Sequence, residues 1–79
     1  MNLDRKDFLR EIDGLFGFDA GTLTGTELLA DTGHWDSMTV LEFIALADER
    51  YQVPLSPWQF RRCATVDDLF RVCERAARG

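Results

Sequence analysis

The chain has 79 residues, of which 46% are hydrophobic and 29% charged, and its net charge is −5 at pH 7. This length predicts a single domain, residues 1–79, that buries about 60 to 65% of the surface exposed by the unfolded chain, too little for a deep substrate cleft. Nucleic acids and anionic membrane surfaces require a basic face, so the acidic balance argues against both as partners. Basic protein partners are favoured instead.

Membrane insertion and disulfide formation are also disfavoured by the order of the residues. The longest apolar stretch, residues 41–47, is interrupted by Glu42 and is far shorter than the roughly 20 residues of a membrane span. The first residues lack the basic start and apolar run of a signal peptide, so we expect a cytoplasmic protein with no membrane span. Cys63 and Cys73 form neither a C-x-x-C motif nor a zinc pattern, which predicts two free thiols, with Cys73 buried.

The first helix and the loop after it are indicated by periodicity and composition. Apolar residues at helical spacing predict a helix over Leu3–Phe16. Asn2 or Asp4 can cap its start, and Gly17 lies where helices commonly end with a left-handed residue. Residues 17–35 are rich in Gly, Thr and Asp and predict a long loop. Long ordered loops are uncommon in compact domains and are usually functional, which directs attention to the residues that follow.

The second helix has two faces of different character. Asp36 can cap it, which places Ser37 in the first turn of a helix that continues to Tyr51. At about 100° per residue, one arc predicts the core and the opposite arc is semi-polar. The core arc comprises Val40, Phe43, Ile44, Ala47 and Tyr51. The opposite arc comprises Met38, Glu42, Ala45 and Glu49. This second arc suits transient contact with a partner, and a solvated face is the alternative interpretation.

The last third of the chain predicts one short and one longer helix. Ser56, followed by Pro57 and by Gln59, is typical of a helix start. Thr65, with Asp68 three residues later, predicts the start of the final helix. The apolar stripe of that helix comprises Val66, Leu69, Phe70, Cys73, Ala76 and Ala77. Since no apolar run alternates at period two, the predicted fold class is all-α, a small four-helix bundle with three longer helices and one short helix.

Two further features concern the surface and the loop. Residues 1–37 carry eight acids and three bases, residues 38–60 three acids and one base, and residues 61–79 three acids and five bases. Only the last segment is therefore basic. Trp35 and Trp58 are expected to pack the long loop and the short helix against the small core.

Ser37 is the candidate for chemistry. A phosphodiester on a serine in the first turn of a helix would lie among unpaired backbone N–H groups at the positive end of the helix dipole. Serine in a first turn is also a very common local capping residue. The residues alone permit both interpretations.

Residues 35–43 have the sequence Trp-Asp-Ser-Met-Thr-Val-Leu-Glu-Phe. This string resembles the Asp-Ser-Leu or Asp-Ser-Met attachment motif of acyl carrier proteins. The resemblance to the same family extends over residues 3–77. It rests on the order of the elements, which are a helix, a long loop, an acid-capped helix, a Val-Pro connection and a final helix with the pattern Thr-Val-x-Asp-Leu. The resemblance implies a bundle of acyl-carrier type that is not an enzyme and bears covalent 4′-phosphopantetheine on Ser37. The arm would carry acyl groups as thioesters in a fatty-acid, polyketide or other specialised biosynthetic pathway.

The resemblance also implies a set of partners for a monomeric carrier. Asp36 and Met38 would flank the attachment site as contacts of a phosphopantetheinyl transferase. A separate acyl- or aminoacyl-loading ligase would charge the arm, and a downstream synthase or transferase would use the cargo. The residues implied to meet basic patches on such enzymes are Glu42, Ala45, Asp48 and Glu49.

Two other binding functions remain open at this point. The Asp-Ser-Met-Thr-Val string also resembles the attachment site of D-alanine and other aminoacyl or peptidyl carriers, which load an amino acid on the same arm. A protein-interaction module without a prosthetic group would explain an acidic face and exposed aromatic residues. It would not explain the attachment string.

Catalytic and metal-binding interpretations are disfavoured by spacing. His34, Asp36 and Ser37 are the residue types of a hydrolase triad, but they are adjacent in sequence and no G-x-S-x-G elbow accompanies them. His34 has no second histidine as a metal partner. The spacing of Asp31 and Glu42 matches the ends of an EF-hand loop, yet the ligand positions between them are not filled by suitable residues.

Overall fold

A computed structural model describes residues 3–78, which form three α-helices and two short 3-10 turns and contain no β-strand. The helices are α1 (Arg5–Phe16), α2 (Ser37–Tyr51) and α3 (Val66–Arg78), and the turns are Leu29–Asp31 and Pro57–Phe60. The predicted all-α class is therefore confirmed. The expected short helix is a four-residue 3-10 turn, so the described chain has three α-helices and not four.

Helix α1 is delimited by the local signals in its sequence. Asp4 accepts a hydrogen bond from the Lys6 N–H at 3.2 Å, and Gly17 ends the helix with φ +78°. A positive φ of this size favours glycine because it has no Cβ. Of the two predicted caps, Asp4 is confirmed and Asn2 lies outside the described residues. The helix therefore begins after Asp4, two residues later than the predicted start at Leu3.

Aromatic side chains from all three helices form the centre of the core. Phe43 of α2 is fully buried, and its ring centroid lies 5.9 Å from that of Phe8 and 5.4 Å from that of Phe60. Phe8 of α1 also lies 5.2 Å from Phe70 of α3. In the predicted core arc of α2, the buried residues are Phe43 and Ala47, and the partly buried ones are Val40, Ile44 and Tyr51. The predicted stripe of α3 is buried from Val66 to Cys73.

The long loop is tied to α1 by a buried carboxylate. Asp13 is 1% exposed, and its two oxygens accept the N–H groups of Gly21 at 2.9 Å and of Leu23 at 3.0 Å. Leu23, 5% exposed, is thereby placed in the core. The first part of the loop is thus folded back against the end of α1.

The second part of the loop is paired with the residues that precede α3. Backbone hydrogen bonds join residues 25–29 to residues 64–67, including an isolated antiparallel bridge. Gly25 has φ +108°, and a Cβ at this position would overlap the side chains of Arg5 and Asp67, which form an ion pair. The predicted loop is therefore an ordered segment that includes a 3-10 turn.

Candidate functional site

Two aromatic side chains anchor the residues immediately before α2. The His34 ring stacks on Phe16 with their centroids 5.9 Å apart. Trp35 is partly buried, with its ring centroid 6.3 Å from Phe16 and 6.1 Å from Phe43. The prediction that Trp35 packs the loop against the core is confirmed. Because both residues contact the core, the start of α2 is held in a defined position.

Asp36 is the N-cap of α2, as predicted. Its Oδ1 accepts the N–H of Thr39 at 2.9 Å, and its carbonyl oxygen accepts the N–H of Val40 at 2.9 Å. The hydrogen bond from the Thr39 backbone N–H is the main cause that holds the pKa of Asp36 below its usual value. Asp36 therefore caps the helix, and a capping role does not explain why position 37 is a serine.

Replacement of Asp36 by alanine is expected to lower Tm by a few degrees, whereas Asp36→Asn should retain the cap. Because the pKa of Asp36 is lowered on folding, its charge stabilises the fold above the usual value of 3.8 and this contribution is lost as pH falls through the lower folded value. Wild type should therefore lose more Tm than Asp36→Asn on acidification below pH 3.8. Thermal melts at matched pH values measure this difference, and equal acid sensitivity of the two proteins would contradict it.

Ser37 is the first residue of α2 and is exposed to solvent. The first turn contains no acidic side chain, and the Asp36 cap accepts the Thr39 N–H, so the backbone N–H groups ahead of Thr39 remain for an anion. Met38, predicted beside the site, is 69% exposed, and Leu41 is 60% exposed. Leu41 lies one turn after Ser37 on the same side of the helix and was not predicted as a site residue. Its i, i+4 spacing from Ser37 is the signal that could have identified it.

The predicted partner face is exposed, and part of it forms a groove. The predicted residues Glu42, Ala45, Asp48 and Glu49 are all exposed on α2. An open groove of about 360 Å³ is lined by Glu11, Leu15, Glu42, Ala45, Leu46, Glu49 and Arg50. Asp48 does not line it and lies on the side of α2 that carries Ser37. Arg50 is ion-paired with Glu11, so the remaining charge in this acidic groove is that of Glu42 and Glu49.

The residues that α1 contributes to the acidic groove were not predicted. Glu11 and Leu15 are brought beside α2 by helix packing, which no local pattern encodes. Glu11 matters because its pairing neutralises Arg50, the one basic side chain on this lining. The groove is therefore more acidic than the sequence of α2 indicates.

Neither cysteine is placed for chemistry. Both are free, as predicted, with Cys73 fully buried and Cys63 partly buried. Burial raises the pKa of both thiols, that of Cys73 to about 12, so neither is a thiolate at neutral pH.

Within residues 3–78, no three His, Cys, Asp or Glu side chains are grouped so that they could hold a metal ion. In the same range, no helix is long and apolar enough to cross a membrane.

Trp58 contradicts its prediction. It was expected to pack against the core, but it is 68% exposed. Phe60 takes the core position of the same 3-10 turn and is 5% exposed. With three residues per turn, a side chain two positions from Phe60 is directed away from the core. Trp58 is therefore a surface residue.

No protein-family model matches the chain, and no curated protein or solved structure matches it either. The interpretation of the site therefore depends on its own geometry. An exposed hydroxyl lies at the start of α2, beside a separate capping residue, two exposed apolar side chains and an acidic groove. This arrangement can hold an anionic ester at a helix N-terminus and present its substituent next to an acidic surface.

Proposed function

We propose that the protein is a carrier of the acyl-carrier type, in which Ser37 bears a 4′-phosphopantetheine arm and the chain presents acyl cargo to partner enzymes. The observation that carries the proposal is the exposed Ser37 at the first position of α2, beside a cap already supplied by Asp36. When attached, the arm would supply a terminal thiol that holds the cargo as a thioester. In this proposal the three helices and the turn at residues 57–60 correspond to the four-helix bundle of the acyl carrier family, and the chain itself is not an enzyme.

The residues around Ser37 fit a phosphodiester. The group is anionic, and the open N–H groups at the start of α2 favour a negative charge. The Asp36 carboxylate adds a like charge, but it accepts the Thr39 N–H and both groups are exposed to screening by water and salt. Met38 and Leu41 give the adjacent surface an apolar character that suits contact with the transferase and with the arm.

The acidic groove supports the proposed partners. Glu42, Glu49 and the nearby Asp48 are exposed carboxylates on the helix that begins with Ser37. Basic patches on a phosphopantetheinyl transferase, a loading ligase and a downstream synthase or transferase would meet them. Complementary charge accelerates encounter more than it increases affinity, which suits partners that must exchange. An aminoacyl or peptidyl cargo would use the same site, so attachment is the step to test first.

The test is intact-protein mass after incubation with coenzyme A and a broad-specificity phosphopantetheinyl transferase. We expect one phosphopantetheine increment on wild type and none on Ser37→Ala, because Ser37 is the proposed attachment residue. Ser56→Ala removes the one other serine and should still be modified. Ser37→Ala should change the free energy of unfolding by less than about 0.5 kcal/mol, since the side chain is exposed.

Two results would overturn the proposed function. One is no increment on folded wild type while a known acyl carrier protein is modified in the same reaction. The other is an unchanged increment on Ser37→Ala. Circular dichroism of each variant establishes that the proteins compared are folded.

A further inference from the structure

A second groove of the protein is lined by several basic side chains. It has a volume of about 460 Å³ and lies between α3 and the chain around the turn at residues 57–60. The side chains that matter for its chemistry are Trp58, Arg61, Arg62, Arg71, Val72 and Arg75. We refer to it as the arginine groove. Its charge is opposite to that of the acidic groove on α2.

The positive charge of the arginine groove is largely uncompensated. Its one acid, Asp68, lies 2.9 Å from Arg71 and also accepts two backbone N–H groups ahead of α3. The Asp68 carboxylate is therefore occupied in starting the helix and in pairing with one arginine. Among the arginines that line the groove, Arg61, Arg62 and Arg75 form no ion pair within residues 3–78.

The same groove has an apolar side. Trp58 is 68% exposed, and a second depression of about 270 Å³ shares Trp58, Val72 and Arg75 with the first. An indole that the core does not use therefore lies beside several guanidinium groups. Trp and Arg are the residue types that contribute most often to the energetic centres of protein interfaces.

We propose that the arginine groove binds an acidic segment of a partner protein that also carries an apolar side chain. Carboxylates of the segment would pair with Arg61, Arg62 and Arg75, and its apolar side chain would lie on Trp58. Guanidinium groups suit this role because they bind carboxylates through paired hydrogen bonds.

Charge complementarity favours a short acidic segment over an extended polyanion. The chain as a whole carries −5, and residues 1–37 carry eight acids against three bases. A nucleic acid or an anionic membrane is an extended polyanion, which the net negative charge of the chain disfavours, whereas a short segment carries few charges and can pair with the groove arginines. The inference is independent of the carrier function. If both hold, one chain binds basic partners at α2 and an acidic partner at α3.

The probe is a fluorescein-labelled peptide of Asp and Glu residues around a central Leu-Phe pair, compared with a peptide in which Asn and Gln replace the acids. In ¹⁵N-labelled protein, only the acidic peptide should shift the Trp58 indole N–H signal. Arg61→Gln/Arg75→Gln should weaken binding about tenfold, or about 1.4 kcal/mol, an effect that the loss of two exposed charge pairs can produce. Lys6→Gln/Arg10→Gln removes the same charge from exposed positions of α1 and should change Kd by less than about twofold.

Several outcomes would overturn the inference. They are an unchanged Trp58 signal, an equal loss of affinity in both double variants, and tighter binding of a single-stranded oligonucleotide than of the acidic peptide. A shift of the groove signals on dilution of the protein alone would instead identify a second copy as the occupant. Arg71 is kept in all variants because its ion pair with Asp68 adjoins the start of α3.

Discussion

Phe43→Ala is expected to lower the free energy of unfolding by about 3 to 5 kcal/mol, the range for truncation of a buried aromatic residue. Phe43 is fully buried, and its ring lies within 6.1 Å of Phe8, Trp35 and Phe60, measured between centroids. The cavity would therefore border α1, the loop before α2 and the turn after it. A domain of this length has a total stability of roughly 4 to 12 kcal/mol, so the loss removes a large part of it.

Urea unfolding followed by circular dichroism measures the Phe43→Ala effect. Leu41→Ala is the matched control, because Leu41 is on the same helix but 60% exposed, and it should change stability by less than about 0.5 kcal/mol. Trp35 should also become more accessible to a fluorescence quencher, while Trp58 is already exposed. Equal effects of the two alanine variants would mean that Phe43 is not central to the core.

The helix starts could be predicted because their signals are local. Asp36 accepts from a residue three positions later, and Thr65 and Asp68 exchange hydrogen bonds across the same interval, at 3.0 and 3.2 Å. Such contacts form within one helical turn and do not depend on how distant parts of the chain pack. The same holds for the candidate site, since Ser37 and its flanking residues form one continuous string.

The contacts between distant segments could not be predicted in this way. Asp13 follows Ile12 on α1, and nothing near it indicates that loop N–H groups will meet its carboxylate. Periodicity places Ile44 on the core arc, yet it is only partly buried, because periodicity gives the direction of a face and not how much of it is covered. The size of Trp58 predicts a place against the core, but the 3-10 turn orients its side chain outward.

The charges that line the two grooves could not be predicted either, because they also depend on contacts between distant segments. Charge counts along the chain identified a basic last segment, but only the fold brings Arg61 and Arg75 to the groove beside Trp58. Likewise, Glu11 reaches Arg50 from another helix and leaves the α2 groove acidic. The sequence thus indicates Ser37 as the candidate site residue, and the fold determines which charges surround each surface.

Asp13→Ala is expected to lower the free energy of unfolding by about 2 to 4 kcal/mol, because two backbone N–H groups lose a buried acceptor. The groups are those of Gly21 and Leu23, at 2.9 and 3.0 Å from the Asp13 oxygens. Asp13→Asn keeps one of the two acceptor oxygens and should lose about half as much. Asp19→Ala is the control, since Asp19 is an exposed acid nearby in the chain, and it should have little effect.

Amide hydrogen exchange separates a local from a global effect of Asp13→Ala. Exchange at Gly21 and Leu23 should accelerate more than exchange at Phe43 in the core, because the loop opens before the helices separate. The loop continues to Trp35, which packs against Phe43 two residues before Ser37. If Asp13 holds the loop as a whole, the Thr39 amide at the start of α2 should also lose protection. Protection lost uniformly over all three helices would contradict this role and make Asp13 a general core residue.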